Sequence, residues 1–374
     1  MKKALVHEWF ETPAGSENCV RSFVNIWKDI DVFGVVDFFD EERRNEYVAG
    51  KPITTTFIQN LPFSEKHFRT YLPLMPFAIE QLDMSSYDLV FSSSHAVAKG
   101  VLTRANQLHV CYCHAPMRYA WDLYHQYIKE SRLDKGIKGL IARYILHRLR
   151  IWDFTTSLRV DHFIANSKYT ARRIKKTYNR EAEVIYPPVD TFKFKPSNKT
   201  EDFYLTASRL VPYKKVDLVV EAFAKMPDKR LLVLGDGPEM EKVKSKASRN
   251  IEVLGYRPFG ELSELMSKCK AFVFAAEEDF GIMVIESMAA GRPVIAFNRG
   301  GASESVIDGV NGIHFNEQTP DSICEAVTRY EKNENKFQPG QLREYAEKFS
   351  RSRFEEEINN FVRNKCEQFF NMSR

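Results

Sequence analysis

The sequence predicts an α/β protein of two domains, each built on a parallel, doubly wound sheet. Three observations carry this. The chain of 374 residues exceeds one ordinary domain. Strand and helix signals alternate along both halves, the pattern of a parallel sheet with crossover helices. At mid-chain Tyr186-Pro187-Pro188-Val189-Asp190 interrupts the alternation, because two prolines remove backbone donors and stiffen the connection. Residues 1–187 are therefore assigned to a first domain, 188–348 to a second and 349–374 to a tail helix.

In the first half the apolar runs of strand length are Ala4 to Val6, Val32 to Val36, Leu89 to Phe91, Leu108 to Tyr112 and His162 to Ala165, with helical patterns between several of them. The second half repeats the alternation with Phe203 to Ala207, Arg230 to Leu234, Ile251 to Leu254, Ala271 to Ala275 and Val294 to Phe297. From Phe349 to Phe370 the period becomes helical. Phe354, Ile358, Phe361, Val362, Cys366 and Phe369 fall on one stripe.

A hydrophobic content of 44% is ample for two cores, and 54 basic against 50 acidic residues give a net charge of only +4, a balance that argues neither for nor against nucleic acid, which is not among the expected partners. The six cysteines are scattered, and the Cys111/Cys113 pair has no second Cys/His pair at zinc-site spacing, so they read as reduced, mostly buried thiols. The apolar run after Met1-Lys2-Lys3 is too short for a signal peptide and no run approaches a membrane span. The expected location is the cytoplasm.

The motifs that carry chemistry lie where strands should end. Glu278 and Glu286 flank a strand-to-helix turn in Glu278-Asp279-Phe280-Gly281-Ile282-Met283-Val284-Ile285-Glu286. There the first carboxylate can accept from sugar hydroxyls, the amides of Phe280, Gly281 and Ile282 can donate to anionic oxygens, and the second carboxylate can reach a ribose. An ordinary turn with two exposed acids fits the same residues. Arg209 and Lys214 flank the loop after Phe203 to Ala207, and a basic pair at a strand's carboxyl end can neutralise a diphosphate without a metal. A solvated basic loop is the alternative.

Taken together, Ser208-Arg209-Leu210 with Lys214, Gly235-Asp236-Gly237-Pro238, Glu278 to Glu286, Ala289-Ala290-Gly291-Arg292-Pro293-Val294-Ile295-Ala296 and Gly300-Gly301 with Glu304 resemble the retaining glycosyltransferases of family 4. The resemblance extends over nearly the whole chain and is densest from Phe203 to Phe315. Cys113-His114-Ala115-Pro116-Met117-Arg118-Tyr119-Ala120-Trp121-Asp122 resembles a segment of the branch with O-antigen and capsule mannosyltransferases. The likeness implies a GT-B fold, two Rossmann-like domains facing across a cleft, with the tail helix crossing back to the first. It implies transfer of a hexose, GDP-mannose being the preferred donor and a UDP-hexose the runner-up, to a glycan or lipid-linked glycan, with retention of configuration and no metal or other cofactor.

The same likeness assigns site residues. Arg209 and Lys214 would face the leaving diphosphate, Glu278 the donor sugar and Glu286 the ribose, with Gly235, Phe280, Gly281 and Ile282 also on the donor. His114 would hydrogen-bond sugar hydroxyls. Gly15 would bring backbone amides to the donor phosphate, although Ala14 stands where the family usually has a second glycine, so that role needs Ala14 at negative φ. Arg118, Tyr119, Trp121 and Asp122 suit stacking on and hydrogen-bonding an acceptor sugar, or form a packed aromatic loop.

Residues 129–153 place Leu133, Ile137, Leu140, Ile141, Tyr144, Ile145, Leu149 and Trp152 at helical spacing among seven basic and three acidic residues. Such a helix either binds an anionic bilayer at the inner face of the plasma membrane or covers a core with its apolar stripe. Asp29-Ile30-Asp31 matches a metal-binding Asp-x-Asp motif but precedes a strand, where a donor-bound metal would need it at a strand's exit. Two other function classes fit a two-domain α/β chain: a sugar-nucleotide epimerase, which would consume donor without acceptor, and a sugar-binding protein, which would show affinity without turnover.

Overall fold

The computed structural model describes residues 1–197 and 199–372. The chain forms two compact units, one comprising residues up to Pro188 and again from Phe354, the other Val189–Arg353. In the first unit the strands are β1 (Lys3–His7), β2 (Asp31–Gly34), β3 (Ile53–Thr55), β4 (Leu89–Ser94), β5 (Leu108–Cys113), β6 (His162–Ala165) and β7 (Ala182–Val184). They form one parallel sheet in the order β3-β2-β1-β4-β5-β6-β7. Because side chains alternate along a strand, Ala4 and Val6 enter one core cluster and Leu5 the other, so both faces are covered.

The second unit holds β8 (Tyr204–Ala207), β9 (Leu231–Leu234), β10 (Ile251–Gly255), β11 (Phe272–Phe274), β12 (Val294–Phe297) and β13 (Gly312–Phe315), parallel in the order β10-β9-β8-β11-β12-β13. All four residues of β8, β9 and β12 are buried. In each sheet the strand order reverses once, between β1 and β4 and between β8 and β11. A doubly wound sheet opens its ligand crevice at that reversal, beyond the carboxyl ends of the strands.

Among the helices, α1 (Gly15–Ile26) follows β1 and buries Cys19, Val20, Phe23 and Val24. A 22-residue helix, α2 (Gly136–Ser157), precedes β6. In the second unit α3 (Val216–Ala224) follows β8 and α4 (Ile282–Ala289) follows β11. The last helix, α5 (Arg351–Met372), puts Phe354, Ile358, Val362 and Cys366 into the core of the first unit, where the Phe354 ring lies 5.7 Å from Phe23 and 5.6 Å from Tyr112.

The three strands that the sequence analysis did not identify have physical reasons for being missed. β3 and β7 are three residues long, lie at the two edges of their sheet and are only half-buried. β13 opens on a glycine whose close approach to the Val294 carbonyl leaves no space for a side chain.

Candidate active site

In the second unit the sheet reversal brings the two predicted motifs together. Lys214, on the loop after β8, forms an ion pair with Glu278, on the loop after β11, and both side chains are about four-fifths buried. Sequence reasoning had treated the two as separate contacts to different parts of a ligand. The structure shows the ammonium of one neutralised by the carboxylate of the other. Arg209 is exposed and has no carboxylate partner among the described residues, so it supplies uncompensated charge at the same strand end.

Glycines hold these loops. Gly300 and Gly301 lie against the Glu278–Phe280 backbone: an added Cβ would come within 2.4 Å of the Glu278 carbonyl oxygen and 2.3 Å of the Phe280 Cα. The Gly301 amide donates to the Glu278 carbonyl at 2.8 Å. Gly235, at φ 124°, rests on the Ser208 carbonyl, where a Cβ would sit only 1.8 Å away. Its glycine is explained by packing of one site loop on another, which anchors the backbone on either side of Arg209.

Gly281 caps α4 at φ 88°, a left-handed conformation that favours glycine. The Val284 amide donates to the Gly281 carbonyl at 3.0 Å, and the first turn beginning at Ile282 marks the positive end of the helix. Phe280 is buried and its ring lies 5.7 Å from Phe349. Glu286 lies one turn further along α4. Burial, with the Asp190 carboxylate adding to it and Lys193 opposing, pushes its carboxyl up to about 7.

In the first unit the reversal lies between β1 and β4, and a buried carboxylate stands beside it. Glu8, fully buried, accepts from the Ser94 hydroxyl and from the amides of His95, Ala96, Val97 and Ala98 at 2.7–3.1 Å. Burial opposes its ionisation, but His95 and these amides hold the carboxyl below the usual range. No sequence signal marked Glu8, because its partners lie 86–90 residues away.

Ala14 has φ −143°, so the loop before Gly15 meets the condition set by its missing second glycine. His114 leaves β5 partly exposed and contacts the Ser93 hydroxyl through Nε2 at 2.9 Å. Burial, then His95 and His7, hold its pKa well below the ordinary value, so the ring is neutral.

The four acceptor-side candidates separate. Trp121 Nε1 donates to Asp153 at 2.7 Å, and Asp153 also receives Tyr178 and the buried ammonium of Lys99. Trp121 therefore belongs to a structural network. Asp122 pairs with Arg173 at 2.6 Å. Arg118 is partly buried. The Tyr119 hydroxyl is buried with no hydrogen-bond partner among the described residues, which leaves it able to receive a polar group.

Asp29 and Asp31 are spoken for: Asp29 pairs with Lys3 at 2.6 Å and Asp31 accepts from the Tyr87 hydroxyl at 2.8 Å. Among the described residues no group of three or more His, Cys, Asp or Glu is disposed to hold a metal ion. None of their helices is long and apolar enough to cross a membrane.

Residues 189–352 match the family model for glycosyl transferases group 1, and residues 26–193 match that for glycosyltransferase family 4. The chain is 32% identical over 222 residues to the uncharacterized glycosyltransferase MJ1178 of Methanocaldococcus jannaschii, covering 58% of this chain and 62% of that one. It is 29% identical over 192 residues to the GDP-mannose-dependent alpha-(1-6)-phosphatidylinositol monomannoside mannosyltransferase of Mycolicibacterium smegmatis, covering 43% and 50%. The matched stretches thus span less than two thirds of these curated relatives. Among solved structures, HepE of Anabaena in complex with UDP-glucose superposes with a TM-score of 0.70 at 18% identity over 97% of this chain and 100% of that one. Sucrose-phosphate synthase of Thermosynechococcus elongatus gives 0.74 at 15% identity over 97% and 99%. These likenesses give the fold, GT-B, with the first half of the chain matching the family 4 model and the second the group 1 model.

Proposed function

We propose that the chain is a glycosyltransferase that moves a hexose from a nucleotide diphosphate sugar to a hydroxyl of a glycan or lipid-linked glycan, with retention and without a metal. The observation that carries this is the meeting of Lys214, Arg209, Glu278 and the α4 N-terminus at the β8/β11 reversal. Cationic groups, helix amides and a carboxylate there match, in turn, a diphosphate and a hydroxyl-rich sugar.

Arg209 and Lys214 stabilise charge developing on the leaving diphosphate. Glu278 accepts from sugar hydroxyls beside the Phe280, Gly281 and Ile282 amides, and Glu286 accepts from the ribose. Gly15 and Gly235 keep backbone close to the donor. His114 hydrogen-bonds a sugar hydroxyl, and Tyr119 with Arg118 contributes to the acceptor side. In the reaction the bond from the anomeric carbon to the phosphate oxygen breaks, the acceptor oxygen bonds that carbon from the same face, and the departing phosphate oxygen takes the acceptor proton. No protein general base is needed.

The mannosyltransferase relative and the Cys113–Asp122 segment support GDP-mannose as donor. The UDP-glucose complex of HepE supports a UDP-hexose as the alternative. A thermal-shift screen of nucleotide sugars decides, since a ligand at 100 times its Kd stabilises by about 2.7 kcal/mol. Transfer from the stabilising donor should then persist in EDTA. Loss of transfer in EDTA with rescue by Mn²⁺ removes the metal-free reading, and no shift with any nucleotide sugar removes the function.

Contact with an anionic membrane is part of the proposal. On α2, Leu149, Trp152 and Ile145 face the core cluster, whereas Ile137, Leu140, Ile141 and Tyr144 are exposed at i, i+3, i+4, i+7 spacing, with Ile151 exposed two turns on. The exposed apolar stripe, flanked by basic residues, supports a bilayer surface at the cytoplasmic side as the place of an acceptor carried on lipid.

A further inference from the structure

Three side chains at the carboxyl ends of adjacent strands in the first unit, and one from the first turn of α1, form a continuous hydrogen-bonded row. Glu17, in the first turn of α1, lies 3.4 Å through Oε1 from His7 Nε2. His7 Nδ1, at the end of β1, lies 3.2 Å from the Ser93 hydroxyl of β4. That hydroxyl lies 2.9 Å from His114 Nε2, just beyond β5. Glu17, His7 and Ser93 are all buried, and only His114 at the end of the row is partly exposed. Its Nδ1 has no protein partner among the described residues. The proposed roles of the strand ends give no reason for three buried polar groups to converge on one imidazole.

We propose that Glu17, His7 and Ser93 are positioning residues that fix the tautomer of His114, so that its Nδ1 presents a lone pair to a ligand hydroxyl. The inference rests on the reading that His114 contacts a sugar hydroxyl, and extends it to how that contact is polarised.

Donor and acceptor inventory gives the direction. An ionised carboxylate only accepts. Despite burial, which raises it, the hydrogen bond from His7 lowers Glu17 to about 2, so it is ionised. His7 therefore donates Nε2–H to it, and with a single ring hydrogen its Nδ1 accepts. Ser93 then donates to His7 Nδ1 and its oxygen accepts from His114 Nε2–H, which leaves Nδ1 of His114 bare. The opposite arrangement has a different origin and a different product. A charged His7 would donate Nδ1–H to the Ser93 carbonyl, also at 3.2 Å, the hydroxyl would turn to His114 Nε2, and His114 would present an N–H instead.

Glu17→Gln reverses the row by a definite route. Glu17 Oε2 accepts from the Ala14 amide at 2.8 Å and from the Ser16 hydroxyl at 2.9 Å. A glutamine keeps its oxygen towards those two donors and turns its NH₂ to His7, so the hydrogen moves to His7 Nδ1, Ser93 reorients and His114 takes the Nδ1–H form. The measurement is the imidazole ¹⁵N spectrum of the full chain labelled at its nine histidines, with His114 assigned by the signals lost in His114→Gln. The wild type should show the Nε2–H form, Glu17→Gln the Nδ1–H form, and Glu17→Gln combined with Ser93→Ala no such transfer to His114.

An Nδ1–H form in the wild type overturns the proposal without any variant, so a misfolded Glu17→Gln does not protect it. An unchanged His114 in a folded Glu17→Gln overturns it too. With the tautomer reversed, transfer should fall at least about tenfold, the usual scale for a polar contact turned from attraction to mismatch. Reversal with transfer unchanged overturns the ligand-facing half of the proposal and removes His114 from the site, while the donor screen above tests the glycosyltransferase reading separately.

Discussion

At the residue scale Lys214 joins the two proposed halves of the donor site, because its ion pair with Glu278 links the loops after β8 and β11. In the proposed site Lys214 shares its charge between Glu278 and the departing diphosphate, while Arg209 supplies the uncompensated charge. Arg209→Ala should cost on the order of 3 kcal/mol of transition-state stabilisation, roughly a hundredfold in kcat, with the fold intact. Lys214→Ala should lose at least as much and additionally leave the Glu278 carboxylate without its partner. Activity near wild type in both variants excludes the diphosphate assignment. Glu286 carries a second prediction, because its carboxyl is raised from 4.5 to about 7. A raised carboxyl holds its proton more tightly in the folded chain, so its contribution favours folding at low pH and is lost as pH rises from about 4.5 through 7. The shift corresponds to a penalty of at most about 3 kcal/mol above neutrality, less for the part of the group that water reaches. Glu286→Gln should therefore raise the Tm at pH 8, show little difference at pH 4.5, and weaken nucleotide diphosphate binding, whereas Glu278→Gln should spare that binding. A Tm difference that does not change between the two pH values contradicts the buried-acid account.

At the scale of elements, legibility followed locality. The strands with continuous buried runs, β1, β4, β5, β8, β9 and β12, were readable because burial on both faces leaves a mostly apolar signature, broken only by such residues as Ser92 to Ser94, His109 and Thr206. The α5 stripe was readable because Phe354, Ile358, Val362 and Cys366 repeat every four residues. The edge strands were not, since three half-buried residues carry almost no periodicity. Arg209, Lys214 and Glu278 could be nominated from their motifs, but the ion pair between the last two spans 64 residues and no local pattern announces it. The Trp121 contact with Asp153 is equally non-local, which is why an indole suited to sugar stacking proved to be engaged in a buried network. Helix α2 shows where sequence left two outcomes and the structure divided them: one side of the same helix enters the core and another stays exposed. If that exposed stripe meets a bilayer, the protein should cosediment with anionic liposomes far more than with neutral ones, and less as salt rises. Replacing Lys135, Lys138 and Arg148 with Gln removes roughly 3 kcal/mol of attraction, about two orders of magnitude in binding, if all three face the surface. Transfer to a short water-soluble acceptor should stay near normal. Binding that is absent, or unchanged by the triple replacement, makes α2 an ordinary domain helix.

The whole molecule is two units whose cores are separate but whose covalent order is interleaved, since the chain leaves the first unit after Pro188 and supplies its last core element from Phe354 onward. The stability of the first unit therefore depends on residues that follow the second unit in sequence. Phe354 is fully buried among Phe23 and Tyr112, and its replacement by Ala removes a large ring from a packed cluster. Truncations of this kind cost about 3–5 kcal/mol, a large fraction of the stability of a single domain. The second unit lacks these contacts and holds Arg209, Lys214, Glu278 and Glu286 on its own strands. Phe354→Ala should accordingly split thermal unfolding into two transitions, the lower one belonging to the first unit. A nucleotide diphosphate should still raise the upper transition, as binding to that unit requires. Hydrogen exchange can assign the two, because amides of β4 and β5 should lose protection in the variant while those of β8 and β11 keep theirs. A single cooperative transition that falls as a whole, with exchange accelerated equally in both sheets, would show that the units share one folding equilibrium and that the tail helix stabilises the chain as one body.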